Sequence, residues 1–230
     1  MKIEPVSIEI VLDSGIVLRG YEWPARGAPV VMLHDYGEDL DAWHGLDQKL
    51  AEGSFRVINV ELRGHGFSDG EPDSETLQID APALLREVQT VWGPVAVCTY
   101  GSVAGILCSM GEQYSPLVHI AISPVLPSTV PVSSAVSSKN TAYLMISSTG
   151  DDNHTSQARR IFENLGPSKL WASVASTNHG PELIQNHAHL IGDMTIFLQR
   201  YLVPSHVKWQ DNALREAITD EEREQLEVKK

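Results

Sequence analysis

Two alternating apolar and polar runs open the chain, Val6–Leu12 and Ile16–Glu22, with Asp13-Ser14-Gly15 between them. Alternation broken by such a cluster predicts a β-hairpin. The pattern then changes. Val30–Leu33 is apolar at every position, which predicts a strand buried on both faces. Arg56–Val60, Val95–Thr99, Leu117–Ile122, Tyr143–Ser147 and Leu170–Val174 predict further strands. Helical periodicity occupies Leu40–Glu52, Ile79–Trp92, Val103–Tyr114, Ser156–Leu165 and Leu183–Leu202. Strands that alternate with helices predict a mostly parallel sheet covered on both faces.

Composition narrows the class. The chain has 230 residues, 42% hydrophobic and 20% charged, enough for one sizeable core. Its net charge of -13 argues against nucleic acid or an anionic membrane as the main partner, because phosphate binding needs a basic surface. The first residues lack an apolar core of signal-peptide length, and no apolar run is long enough to span a bilayer. A cytoplasmic protein is the expectation. Cys98 and Cys108 fall in a predicted buried strand and helix, where two reduced core thiols are expected. No CxxC or metal-type spacing occurs, so neither a metal nor a cofactor is expected.

One domain over residues 1–203 is expected, followed by a charged helical tail over 204–230 in which Thr219 and Glu222 form a capping-box pattern. Nothing in the sequence indicates a homo-oligomer. The Ser-, Pro- and Val-rich stretch Pro124–Asn140 carries no acidic residue and is too short for a large cap domain.

Candidate chemistry follows the strands in order. His34-Asp35-Tyr36-Gly37 comes after the third strand, and Arg63-Gly64-His65-Gly66-Phe67-Ser68-Asp69 after the fourth. Val95–Thr99 runs into a helix through Tyr100-Gly101-Ser102-Val103-Ala104-Gly105, a bent form of the G-x-S-x-G elbow that exposes a nucleophile on a sharp strand-to-helix turn. Two registers fit. Ser102 stands at the apex in one, with the small residue Ala104 at +2 but Tyr100 at −2. Thr99 takes the first glycine position in the other, and Gly101 takes the apex, leaving no nucleophile there. The first register is the leading expectation. Gly150-Asp151-Asp152 and Asn178-His179-Gly180 follow two later strands.

Taken jointly, these motifs resemble the α/β-hydrolase superfamily over roughly Ile8 to Leu202, and its second half resembles lidless esterases and the dienelactone-hydrolase-like branch. The resemblance implies an α/β-hydrolase fold: a mostly parallel sheet of about eight strands with helices on both faces and no large cap. It also implies a serine hydrolase cleaving a small-molecule carboxylic ester or thioester through an acyl-enzyme. Ser102 would attack, His179 would take its proton, and a carboxylate would orient the imidazole. The family pattern favours Asp152 as that acid, with Asp151 as the alternative. An acid after the sixth strand is excluded, because Ser123–Asn140 contains no Asp or Glu. The Tyr36 and Val103 N–H groups would form the oxyanion hole, where Asp35 stands in place of the usual glycine. His34 and His65 would be structural. His187 and His189 are spaced too closely to share one helix face, so no metal is expected there. The catalytically silent alternative is a binding protein on the same scaffold, with Gly101 at the nucleophile position.

Overall fold

The computed structural model describes residues 3–127 and 138–227, with side chains described as far as Arg215. Most of Pro124–Asn140 lies outside the described residues. Eight strands form one sheet: β1 (Val6–Val11), β2 (Val17–Trp23), β3 (Pro29–Leu33), β4 (Arg56–Val60), β5 (Ala96–Tyr100), β6 (Val118–Ile122), β7 (Ala142–Ser148) and β8 (Lys169–Val174). Their order across the sheet is β1-β2-β4-β3-β5-β6-β7-β8. β2 runs antiparallel to both of its neighbours, and the strands from β4 to β8 in that order are parallel. The mostly parallel eight-strand architecture agrees with the sequence expectation. The β6–β7 connection is too short to fold as a cap domain.

The continuous apolar strands are buried on both sides because helices cover both faces. Val30 and Met32 of β3 point to one face, where they join Leu46 and Leu50 of helix α1 (Leu46–Glu52). Leu183 of α5 (Gly180–Asn186) and Met194 and Leu198 of α6 (His189–Tyr201) complete that layer. Val31 and Leu33 point the other way, onto Leu84 and Val88 of α2 (Leu77–Trp92) and Val103 and Leu107 of α3 (Gly101–Ser109). Ala158 and Ile161 of α4 (Asp152–Asn164) cover β6 and β7 through Ala121 and Met145. Both cysteines are buried free thiols.

Helix ends depart from the periodicity. Leu40–Glu52 is a 3₁₀ turn over Leu40–Trp43, then α1, because His44 and Gly45 take positive φ and break the run. Leu183–Leu202 divides at His187, whose backbone leaves the helical region and ends α5. A last helix, α7 (Val203–Glu227), begins at Val203 and passes through Thr219 without a break, so the capping-box pattern starts no helix. Its first turns pack on the domain: His206 is buried and stacks on Trp209, which lies against Gly93. Among the described residues, no helix is long and apolar enough to cross a membrane.

One buried polar group has a pH consequence. His119 on β6 is fully enclosed, with Nε2 2.8 Å from Thr99 Oγ1 and Nδ1 3.8 Å from Cys108 Sγ. Burial pulls its pKa down from 6.5 to about 3. The folded value lies below the unfolded one, so stability present above pH 6.5 is lost as the pH falls toward 3. The limiting slope is about 1.4 kcal/mol per pH unit. Urea unfolding at about pH 7 and about pH 5 should show a smaller acid loss in His119→Gln than in the wild type. An equal loss in both would refute the assignment.

Candidate functional site

Strand register brings the site together. Leu33 pairs with Thr99, and Ile122 with Tyr100, so the chain leaves β3, β5 and β6 at neighbouring points on one sheet edge. Ser148 pairs with Val174, which sets the loops after β7 and β8 side by side. Chain order reverses across the sheet at β3 and β5, where ligands of open α/β sheets bind beyond the strand ends.

Gly101 is the first residue after β5, and it alone makes the sharp turn into α3, with φ +61°. Tyr100 before it is extended, with φ −140°. The structure therefore places Gly101 at the apex, and Ser102 one residue into the helix. The reason is steric. Left-handed backbone favours glycine, and a Cβ at position 101 would overlap the Asp35 carboxylate. Tyr100 meanwhile packs into the core, 4.9 Å from Trp43 in edge contact.

Asp35 fills the cradle beneath that apex. Tyr36 N donates to its Oδ1 at 2.9 Å, and Val103 N donates to the same oxygen at 3.1 Å. Ser102 N donates to Oδ2 at 3.0 Å, and Ser102 Oγ donates to Oδ1 at 2.5 Å. The two N–H groups expected to hold an oxyanion do converge, and the atom they share is an oxygen of Asp35. Two of the backbone donors belong to the first turn of α3, where N–H groups lack helical partners and the helix dipole favours negative charge. The loop around Asp35 is held from behind. His34 Nδ1 donates to the Asp35 carbonyl at 2.8 Å, and Leu62 N donates to His34 Nε2. Gly37 N donates to His65 Nε2 at 3.1 Å. Both histidines are scaffold.

The opposite wall carries His179, which ends the β8 loop and caps α5. Its Nε2 lies 3.5 Å from Asp151 Oδ2, and its Nδ1 3.5 Å from Ser148 Oγ. The acid facing His179 is thus Asp151. Asp152 is the first residue of α4, an exposed position, while Asp151 is the N-cap and accepts Asn153 N and His154 N. His154 lies one turn on, with Nδ1 3.0 Å from Asp151 Oδ2 and its ring stacked on His179 at 4.1 Å between centroids. Hydrogen bonds from His154 hold Asp151 below the usual carboxylate range. Burial, then the neighbouring His154, lowers the pKa of His179. Asp35, Gly101, His154 and His179 line one crevice with Glu38 and Glu182.

The pattern of the chain did not single out His154 or Ser148. Asp151 and His154 do stand at i, i+3 across a helix start, a spacing that places them together. Ser123 follows β6 in a left-handed conformation with φ 47°, is buried, and accepts Gly180 N at 3.0 Å, so it fixes the loop that carries His179.

Comparisons with known proteins agree with this architecture. The model of the "Alpha/beta hydrolase family" matches residues 30–210. The human Protein ABHD12B is 35% identical over 89 residues, which are 37% of this chain and 25% of that protein. Among solved structures, the Pyrococcus furiosus esterase Pf2001 superposes with TM-score 0.72 at 17% identity, covering 87% of this chain and 92% of that one. The α/β hydrolase GrgF from Penicillium sp. sh18 gives 0.69 at 14% identity, covering 86% and 99%. Likeness at that identity speaks to the fold.

The Gly101–Asp35 contact makes a measurable coupling. Gly101→Ser adds both left-handed strain and overlap with Asp35, and should destabilise by about 1–3 kcal/mol. In an Asp35→Ala background the overlap is gone and only the strain remains. A double-mutant cycle by urea unfolding should return a coupling of at least about 0.5 kcal/mol, whereas additive effects would contradict the contact.

Proposed function

The chain belongs to the alpha/beta hydrolase family, and we propose that it uses the family crevice to bind a small ligand without forming an acyl-enzyme. One observation carries this reading: the apex residue is Gly101, and the N–H cradle beside it is filled by the carboxylate of Asp35. Acyl transfer by this fold needs a hydroxyl at the apex and free donors for the developing oxyanion. His179 supports the same reading. In a Ser-His-Asp triad the acid accepts Nδ1–H, which leaves Nε2 for the nucleophile. Here Nε2 is the nitrogen toward Asp151, and Nδ1 turns to Ser148. The crevice is lined by apolar surface from Ala42, Tyr100, Val125 and Pro181, beside polar groups, as small-molecule sites are.

A second reading keeps the chemistry on Ser102. Its Oγ is hydrogen-bonded to the Asp35 carboxylate, an acceptor able to take its proton. In that form the protein is a serine hydrolase of carboxylic esters or thioesters. Ser102 is the nucleophile, His179 the proton carrier, Asp152 or Asp151 the orienting acid, and Tyr36 and Val103 the oxyanion donors once Asp35 moves aside.

Two measurements separate the readings. A fluorophosphonate probe should leave the purified wild type unlabelled. Hydrolysis of short acyl p-nitrophenyl esters should match that of Ser102→Ala. Labelling that maps to Ser102 and vanishes in Ser102→Ala would overturn the binding reading in favour of the hydrolase.

A further inference from the structure

Asp151, His154 and His179 each offer one ligand atom, and the three atoms lie within 4.8 Å of one another. From this juxtaposition we propose that they form a binding site for a divalent transition-metal cation of the zinc class. Two imidazoles and one carboxylate are the donor set that zinc and its neighbours take, and three protein ligands leave a position for water or a bound ligand. Two of the three spacings fit, and ligation by both rings turns the stacked His154 and His179 toward one centre. Ligand atoms at zinc distances from a tetrahedral centre stand about 3.3 Å apart. Asp151 Oδ2 is 3.0 Å from His154 Nδ1 and 3.5 Å from His179 Nε2, one on each side of that edge.

Each ligand is held by something other than a metal. Asp151 Oδ1 is tied to the backbone N–H groups of Asn153 and His154, and this leaves Oδ2 directed at both rings. His154 follows Asp151 by one helical turn, so α4 itself sets their separation. His179 is fixed at the start of α5 by Ser123, through the Gly180 N–H. Metal ligation through His179 Nε2 leaves its Nδ1–H facing Ser148 Oγ, the kind of partner that orients a ligating imidazole. The surroundings favour a cation. Asp35, Glu38 and Glu182 line the same crevice, and among the described residues no lysine or arginine does.

A hydrogen-bonded cluster without metal is the competing account, and binding decides between them. The full chain, stripped with chelator and free of any tag, should bind one equivalent of Zn²⁺ by calorimetry. With Co²⁺ in place of zinc it should show the visible absorption of a tetrahedral or five-coordinate ion. His154→Ala and Asp151→Asn should each weaken zinc by about tenfold or more. His154→Phe keeps a ring stacked on His179 while removing the nitrogen, so its loss of binding cannot come from lost packing. The double variant His187→Ala/His189→Ala should bind like the wild type.

No zinc heat and no cobalt band up to millimolar metal would overturn the site. So would unchanged binding in His154→Phe, or binding that disappears in the His187/His189 variant. The outcome does not depend on fluorophosphonate labelling of Ser102, so failure of this site and failure of the binding reading are separately visible.

Discussion

The Asp35 carboxylate sits in a cradle of backbone N–H groups from a loop and a helix start, and the geometry of the whole crevice depends on it. Tyr36 N comes from the β3 loop, and Ser102 N and Val103 N from the first turn of α3. Those helix N–H groups would otherwise lack partners, so a fixed anion stabilises the helix start as it ties the loops together. The pairing of Leu33 with Thr99 brings residues 35 and 101 to the same place, two positions beyond the paired strands. Gly101 then completes the arrangement by having no side chain to displace the carboxylate. Apex and occupant are complementary: a side chain at one requires removal of the other.

How much of this the sequence disclosed differs with the physics involved. Strands were legible because burial on both faces leaves an apolar run, unbroken in Val30–Leu33 and interrupted only by His119 in Leu117–Ile122. Helix ends were less so. Periodicity runs straight through His187, where the backbone leaves the helical region and divides α5 from α6. It also runs through His44 and Gly45, whose positive φ separates the 3₁₀ turn from α1. Apolar spacing carries no information about such local dihedrals. Thr219 and Glu222 carry a capping pattern, yet α7 begins at Val203, where the preceding helix ends and packing on Gly93 holds the chain.

The site shows the same division. The order of the loops that form it was legible from motif order, and both elbow registers could be written down. Small residues at positions 104 and 105 favoured the register with Ser102 at the apex, but Gly105 has a different task. Its backbone passes directly under Val125, where any Cβ would collide with the carbonyl. Asp151 and Asp152 are chemically identical neighbours, and only the cap geometry of α4 turns the first toward His179. His154 carries only its i, i+3 spacing from Asp151 as a signal, because its ring stack is with a residue on a distant loop.

Considered as a whole, the crevice has the polarity opposite to that of an acyl-transfer site. Such a site presents free donors to a developing negative charge. Here the donors nearest the apex are bonded to Asp35, and the carboxylates of Glu38 and Glu182 stand at the rim of the cavity. Burial depresses the pKa of His179, and the neighbouring His154 adds to that shift. A chain with net charge -13 adds a long-range field of the same sign. Electrostatics therefore disfavours an anionic ligand in this crevice and favours a cation or an electron-poor group. The strand register makes the apex and the adjoining loop neighbours, so Gly101 and Asp35 together set the charge of this sheet edge.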